Sequence, residues 1–134
     1  MRNIAIYKAT LDNEEIDQLK SVLQAKDDLS KVLEFEEKMV KYIGAKYAIA
    51  TATSTAALHL ALSSMRLKRG DKVLMSVNSF VNLPETVRHF DAEPIFVDIN
   101  LEDMNLDIEK FEEAIIANKS KKLRAAIITF IGGL

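Results

Sequence analysis

Four short apolar runs constrain this chain more than any other feature. They are Tyr47-Ala48-Ile49-Ala50, Val73-Leu74-Met75, Ile95-Phe96-Val97 and Ala125-Ala126-Ile127-Ile128, and stretches of helical period separate them. None of the runs alternates apolar with polar, as a strand with one wet face would; each reads as a strand covered on both faces. Connections this long cannot be hairpins and act as crossovers, so the strands are mainly parallel. The first intervening helix starts near Ser54 and carries Ala57, Leu58, Ala61, Leu62 and Met65. The second starts near Asn82, with Pro84 early, where a missing N–H costs nothing, and carries Leu83, Val87 and Phe90. The third follows an Asp107 cap and carries Ile108, Phe111 and Ile115. Gly70-Asp71 and Ala92-Glu93-Pro94 read as turns leading into strands. The fold class is α/β.

Two helices precede this alternation. Asp12 caps the first, which runs to about Ala25 with Glu15 at the capping-box position and Ile16, Leu19, Val22 and Leu23 along one stripe. After a polar break at Lys26-Asp27-Asp28, the second runs from about Ser30 to Ile43 and stops at Gly44. It carries Val32, Phe35, Met39, Val40 and Ile43 on one face, and its Glu34, Glu36, Glu37 and Lys38 read as a solvated face.

At 134 residues, with no cysteine, the chain has room for one core without disulfides and offers no thiolate metal site. A net charge of −2 argues against a dedicated nucleic-acid binder, and the short basic loop of Lys119, Lys121 and Lys122 does not change that. No apolar run approaches a bilayer span, and Met1–Ile6 lacks the apolar region of a secretory signal, which predicts a soluble, cytoplasmic protein. The two histidines, His59 and His89, have no companion ligands in sequence, so no metal site is expected.

Chemistry is expected where the strand at Tyr47–Ala50 meets the next helix, through Thr51-Ala52-Thr53-Ser54-Thr55. Ligands of open parallel sheets lie beyond the carboxyl ends of strands, and a helix start offers free N–H groups and a positive dipole end to an anion. Ser54 and Thr55 hydroxyls add donors; the plainer alternative is ordinary N-capping. Phe80, after the next strand, sits at the same edge, either as a platform for a flat ligand ring or as a core residue.

Several of these segments, in order, resemble the DegT/StrS-type sugar aminotransferases, pyridoxal-phosphate (PLP) enzymes of fold type I. The resemblance is carried by Leu33-Glu34-Phe35-Glu36-Glu37, Tyr42-Ile43-Gly44-Ala45-Lys46-Tyr47-Ala48 and Ser54-Thr55-Ala56-Ala57-Leu58-His59-Leu60-Ala61-Leu62. Gly70-Asp71-Lys72-Val73, Pro94-Ile95-Phe96-Val97-Asp98-Ile99, Met104-Asn105-Leu106-Asp107 and the closing Ile131-Gly132-Gly133-Leu134 continue it. It implies a partial type I large domain in which Ser54 and Thr55 hold the PLP phosphate and Phe80 stacks on the pyridine ring. The substrate class implied is a nucleotide-linked keto-sugar, with glutamate or a similar amine donor. Three departures stand out. The family usually has Gly or Ala where this chain has Ser54. A Trp-Leu-Thr-Thr-Gly-like stretch that helps shape the substrate pocket is replaced by Lys26-Asp27-Asp28-Leu29-Ser30. A His often found before the glycine turn is Phe130 here.

Transamination also needs a lysine amine to bind PLP covalently and an acidic partner for its ring nitrogen. The resemblance puts both beyond Leu134, so no catalytic residue is assigned, and Lys46 and Lys72 precede strands, at the wrong edge. Residues 1–134 are therefore expected to be a single incomplete domain, with 1–30 an N-terminal arm and helix. It supplies half a cofactor cradle, inactive alone and completed by a homo-oligomer or a separate C-terminal portion. Two alternatives are a non-catalytic remnant or assembly module, and an unrelated α/β phosphate-ligand binder. In the type I fold the strand at Tyr47–Ala50 lies apart from the later three, so only those three are expected to pair when the chain folds alone.

Overall fold

The computed structural model describes residues 7–25 and 29–133. The first six residues of the arm, the polar break at Lys26-Asp27-Asp28 and the final Leu134 lie outside them. The chain forms two compact units, one through Ala50 and one from Thr51 onward.

The first unit holds α1 (Asn13–Gln24) and α2 (Ser30–Ile43). The capping box expected at α1 is closed: Asp12 Oδ1 accepts the Glu14 N–H and Glu15 Oε2 accepts the Asp12 N–H, each at 2.8 Å. Gly44 ends α2 with φ 72°, a left-handed conformation a side chain resists. On the polar face of α2, Glu34 takes Lys31 at 2.8 Å and Lys38 at 2.7 Å, and these hydrogen bonds and charges hold its carboxyl down at about 2. Glu36 is not simply solvated, since its carboxylate accepts the Ala50 N–H at 2.7 Å.

The strand expected at Tyr47–Ala50 is absent. A strand exists only through a partner's ladder, and no described residue supplies one here; Tyr47 and Ile49 are exposed and Ala50 bonds to a side chain instead.

The second unit runs α3 (Ser54–Ser64), β1 (Lys72–Ser76), α4 (Asn82–Arg88), β2 (Glu93–Val97), α5 (Ile108–Ala117) and β3 (Leu123–Ile127), then a turn at Ile131–Gly133. The last strand ends earlier than the apolar run through Ile128 suggested. The three strands form a parallel sheet in the order β2-β1-β3. Because β1 is central, its side chains are buried on both faces by turns. Val73 and Met75 pack with Leu62 and Val87 of α3 and α4, while Leu74 packs with Val97, Leu106 and Phe111 on the other side. The outer strands keep wet positions, such as Phe96 and Ala126. Helices α4 and α5 thus cover opposite faces, as two right-handed crossovers leaving β1 and β2 in opposite directions require. The carboxyl ends of β1 and β3 flank the point where the order switches, the usual ligand crevice of such sheets. Among the described residues no helix is long and apolar enough to cross a membrane.

Candidate functional site

Asn82, in the segment that follows the carboxyl end of β1, hydrogen-bonds Thr55, which sets the start of α3 beside the edge where that strand ends. Thr53 is the cap: its backbone is extended (φ −150°, ψ 159°) and its Oγ1 accepts the Ala56 N–H at 3.1 Å. Its carbonyl takes the Ala57 N–H at 3.1 Å and also the Thr51 hydroxyl at 2.9 Å. Capping therefore belongs to Thr53, which leaves the N–H groups of Ser54 and Thr55 without acceptors among the described residues. Both side chains are exposed. Two free N–H groups, two hydroxyls and the positive end of the helix suit a phosphate.

The loop after β1 closes onto this helix start. Asn82, the first residue of α4, donates its Nδ2–H to Thr55 Oγ1 at 2.7 Å. Phe80, two residues earlier, is 73% exposed, so it is not the core residue its sequence context also allowed. Its carbonyl accepts the Leu83 N–H at 3.0 Å, which fixes the turn that carries the ring. Ser54, Thr55 and Phe80 thus share one edge of the sheet, with Thr55 joined to the Phe80 loop through Asn82. Asn82 escaped the sequence reading because an Asn at a helix start looks like a cap; in fact Val81 holds the cap position and no side chain caps α4.

Further along the edge, Asn78 donates to the Met104 carbonyl at 3.0 Å, and Met104 sits at φ 62°. Asn105 Oδ1 accepts the Ile131 N–H at 2.6 Å. Phe130, exposed, borders a cleft of about 240 Å³ that Asn105 and Thr129 also line.

Other candidates fall elsewhere. Lys72 opens β1 at the opposite edge and donates to Asn118 Oδ1 at 2.9 Å. Of the basic loop, Lys122 is engaged, bonding the Arg69 carbonyl at 3.2 Å and lying 3.3 Å from Asp71. His59 packs against Phe90, with ring centroids 4.7 Å apart, and lies 6.0 Å from His89. No group of three or more metal-ligating side chains occurs among the described residues.

The model of the DegT/DnrJ/EryC1/StrS aminotransferase family matches residues 9–133. An uncharacterized protein of Methanocaldococcus jannaschii is 40% identical over 103 residues, covering 77% of this chain and 26% of its own length. The spore coat polysaccharide biosynthesis protein SpsC of Bacillus subtilis is 35% identical over 103 residues, again 77% of this chain and 25% of its own. A GDP-4-keto-6-deoxymannose-3-dehydratase with a trapped PLP-glutamate geminal diamine superposes with a TM-score of 0.83 at 25% identity, covering 94% of this chain and 34% of that one. The chain spans about a quarter of the curated relatives it matches. With a family model matched along nearly all of its residues, the chain belongs to the DegT/DnrJ/EryC1/StrS aminotransferase family.

Proposed function

We propose that this chain is the phosphate- and ring-binding part of a PLP-dependent aminotransferase acting on a nucleotide-linked keto-sugar. The observation that carries the reading is the hydrogen bond from Asn82 to Thr55, which joins the loop of an exposed aromatic ring to an uncapped pair of N–H groups at one sheet edge. Ser54 and Thr55 hold the phosphate with their N–H groups and hydroxyls, and Phe80 gives the ring a face to lie on. The residues fit such a ligand: donors for a dianion and an apolar platform stand at the same edge, and among the described residues no carboxylate bonds to Ser54 or Thr55. When bound, PLP supplies an electron sink for amino-group transfer. The dehydratase relative, by its name, acts on a GDP-linked keto-deoxymannose, which supports the sugar class.

Five of the six lysines of the sheet unit stand at the opposite edge. Lys68, Lys72, Lys119, Lys121 and Lys122 precede or open strands, and Lys110 on α5 is paired with Glu113 at 3.0 Å. By this reading the chain alone binds the coenzyme reversibly and performs no transfer. The reactive amine comes from a separate C-terminal portion.

Titration of the chain with PLP and with pyridoxal tests the reading. Phosphate-dependent, reversible binding is expected, weakened roughly tenfold by Thr55→Ala and by Phe80→Ala. Borohydride reduction is expected to leave no stoichiometric adduct on any one lysine. Such an adduct, or turnover of glutamate with a nucleotide-linked keto-sugar, overturns the inactivity of the isolated chain; equal affinity for both ligands overturns the phosphate site.

A further inference from the structure

We propose that Asn82 is a positioning residue that fixes the direction of the Thr55 hydroxyl for the phosphate. The proposal rests on the assignment of Ser54 and Thr55 as phosphate ligands made above. A hydroxyl has one proton and can send it only one way. Because the Asn82 amide nitrogen donates to Thr55 Oγ1 at 2.7 Å, that oxygen is an acceptor on the Asn82 side and its own proton must point elsewhere. In this proposal that proton is left for an anion at the helix start.

The opposite amide orientation would reverse this. Thr55 would then donate to Asn82 Oδ1 and present lone pairs to the incoming anion. In the observed orientation Oδ1 is buried and has no hydrogen-bond partner among the described residues. Turning the amide over would bury its NH2 group in that place instead and leave donors unpaired in exchange for one acceptor, which favours the observed orientation. The cause here is not helix capping, since α4 has no side-chain cap. Nor is the backbone free to turn away, because the Asn82 carbonyl accepts the buried Thr86 hydroxyl at 2.6 Å.

The test uses the full chain and 4-deoxypyridoxine 5′-phosphate, which lacks the aldehyde and cannot condense with lysines, against 4-deoxypyridoxine. Asn82→Leu frees the hydroxyl to rotate and is expected to weaken binding of the phosphate ester by about threefold. Asn82→Asp turns the hydroxyl proton inward and adds a negative charge, so a loss of about tenfold or more is expected near pH 8. That loss, expressed as a ratio to wild type, shrinks as pH falls to about 4 and below, where the introduced carboxylate becomes protonated and regains a donor. The ligand phosphate, and His59, His89, Glu85, Arg88 and Glu93 on the packed elements, are the same in both measurements, so the ratio reports the substituted residue. Asn82→Gln keeps the donor and is expected to retain most of the affinity; with Asn82→Leu it decides the matter if the Asp variant fails to fold.

If wild type does not distinguish the two ligands, the phosphate site itself is wrong and this proposal falls with it. If wild type distinguishes them and Thr55→Ala abolishes the difference, two results overturn the Asn82 proposal alone. One is unchanged affinity in the Leu and Asp variants; the other is equal losses in both at every pH.

Discussion

Asp71 Oδ1 lies 3.3 Å from Lys122 Nζ, linking the residue before β1 to the residue before β3. The same two segments are joined by the Lys72 N–H, which donates to the Lys122 carbonyl at 2.7 Å, just where the register between the strands shifts. Asp71 is buried and also accepts the Lys68 N–H at 2.9 Å. That backbone hydrogen bond foremost, with Lys122 and Arg124 adding to it and burial opposing it, lowers its pKa below the ordinary 3.8. A depressed carboxyl stabilises the fold above its unfolded-state value, and the contribution is lost as pH falls through the native one. Thermal melts should therefore show Asp71→Asn less stable than wild type at neutral pH. The gap should close below about pH 4. A gap that is constant with pH would contradict the pairing.

Core packing makes a second, steeper prediction. Leu74 on β1 is 1% exposed, whereas Leu101, in the turn after β2, is 84% exposed. Leu74→Ala should cost about 2–5 kcal/mol in denaturant unfolding, a large part of the stability of an ordinary domain. Leu101→Ala should fall within about 0.5 kcal/mol of wild type.

Gly44 gives a test of backbone conformation alone. A Cβ placed there meets no heavy atom within 4 Å, yet φ is +72°. Gly44→Ala should destabilise by about 1 kcal/mol through the left-handed backbone, and Gly44→Asn by less. Equal losses for both would point to a steric cause instead.

The sheet has β2 and β3 as its outer strands, and α1 keeps Leu19 and Leu23 exposed. Unpaired edges and exposed apolar side chains favour association. Light scattering after size exclusion should show an apparent mass that rises with protein concentration. A mass fixed at the 15.0 kDa of one chain across the range would exclude self-association.

Much of the fold was legible because its signals are local. The Asp12 start, the Gly44 stop and the Asp107 cap depend on backbone groups within a few residues of each other. The apolar run at Val73–Met75 announced a strand covered on both faces, and β1 is that strand. The run at Tyr47–Ala50 has the same texture and forms none, because a strand's hydrogen bonds belong to its neighbour. Composition cannot say whether a neighbour exists.

The candidate site divides in the same way. Sequence alone determined that Ser54 and Thr55 stand at a helix start beyond an apolar run and that an aromatic follows the next strand, since both facts are matters of order along the chain. Only the tertiary structure decided that Thr53 takes the capping role, that Phe80 faces outward and that Asn82 reaches Thr55. The Asn82–Thr55 contact joins residues in separate helices, and such a meeting is set by how α3 and α4 pack on the sheet face that holds Val73 and Met75. Local chemistry writes the elements; the packing of distant apolar side chains chooses which polar groups meet.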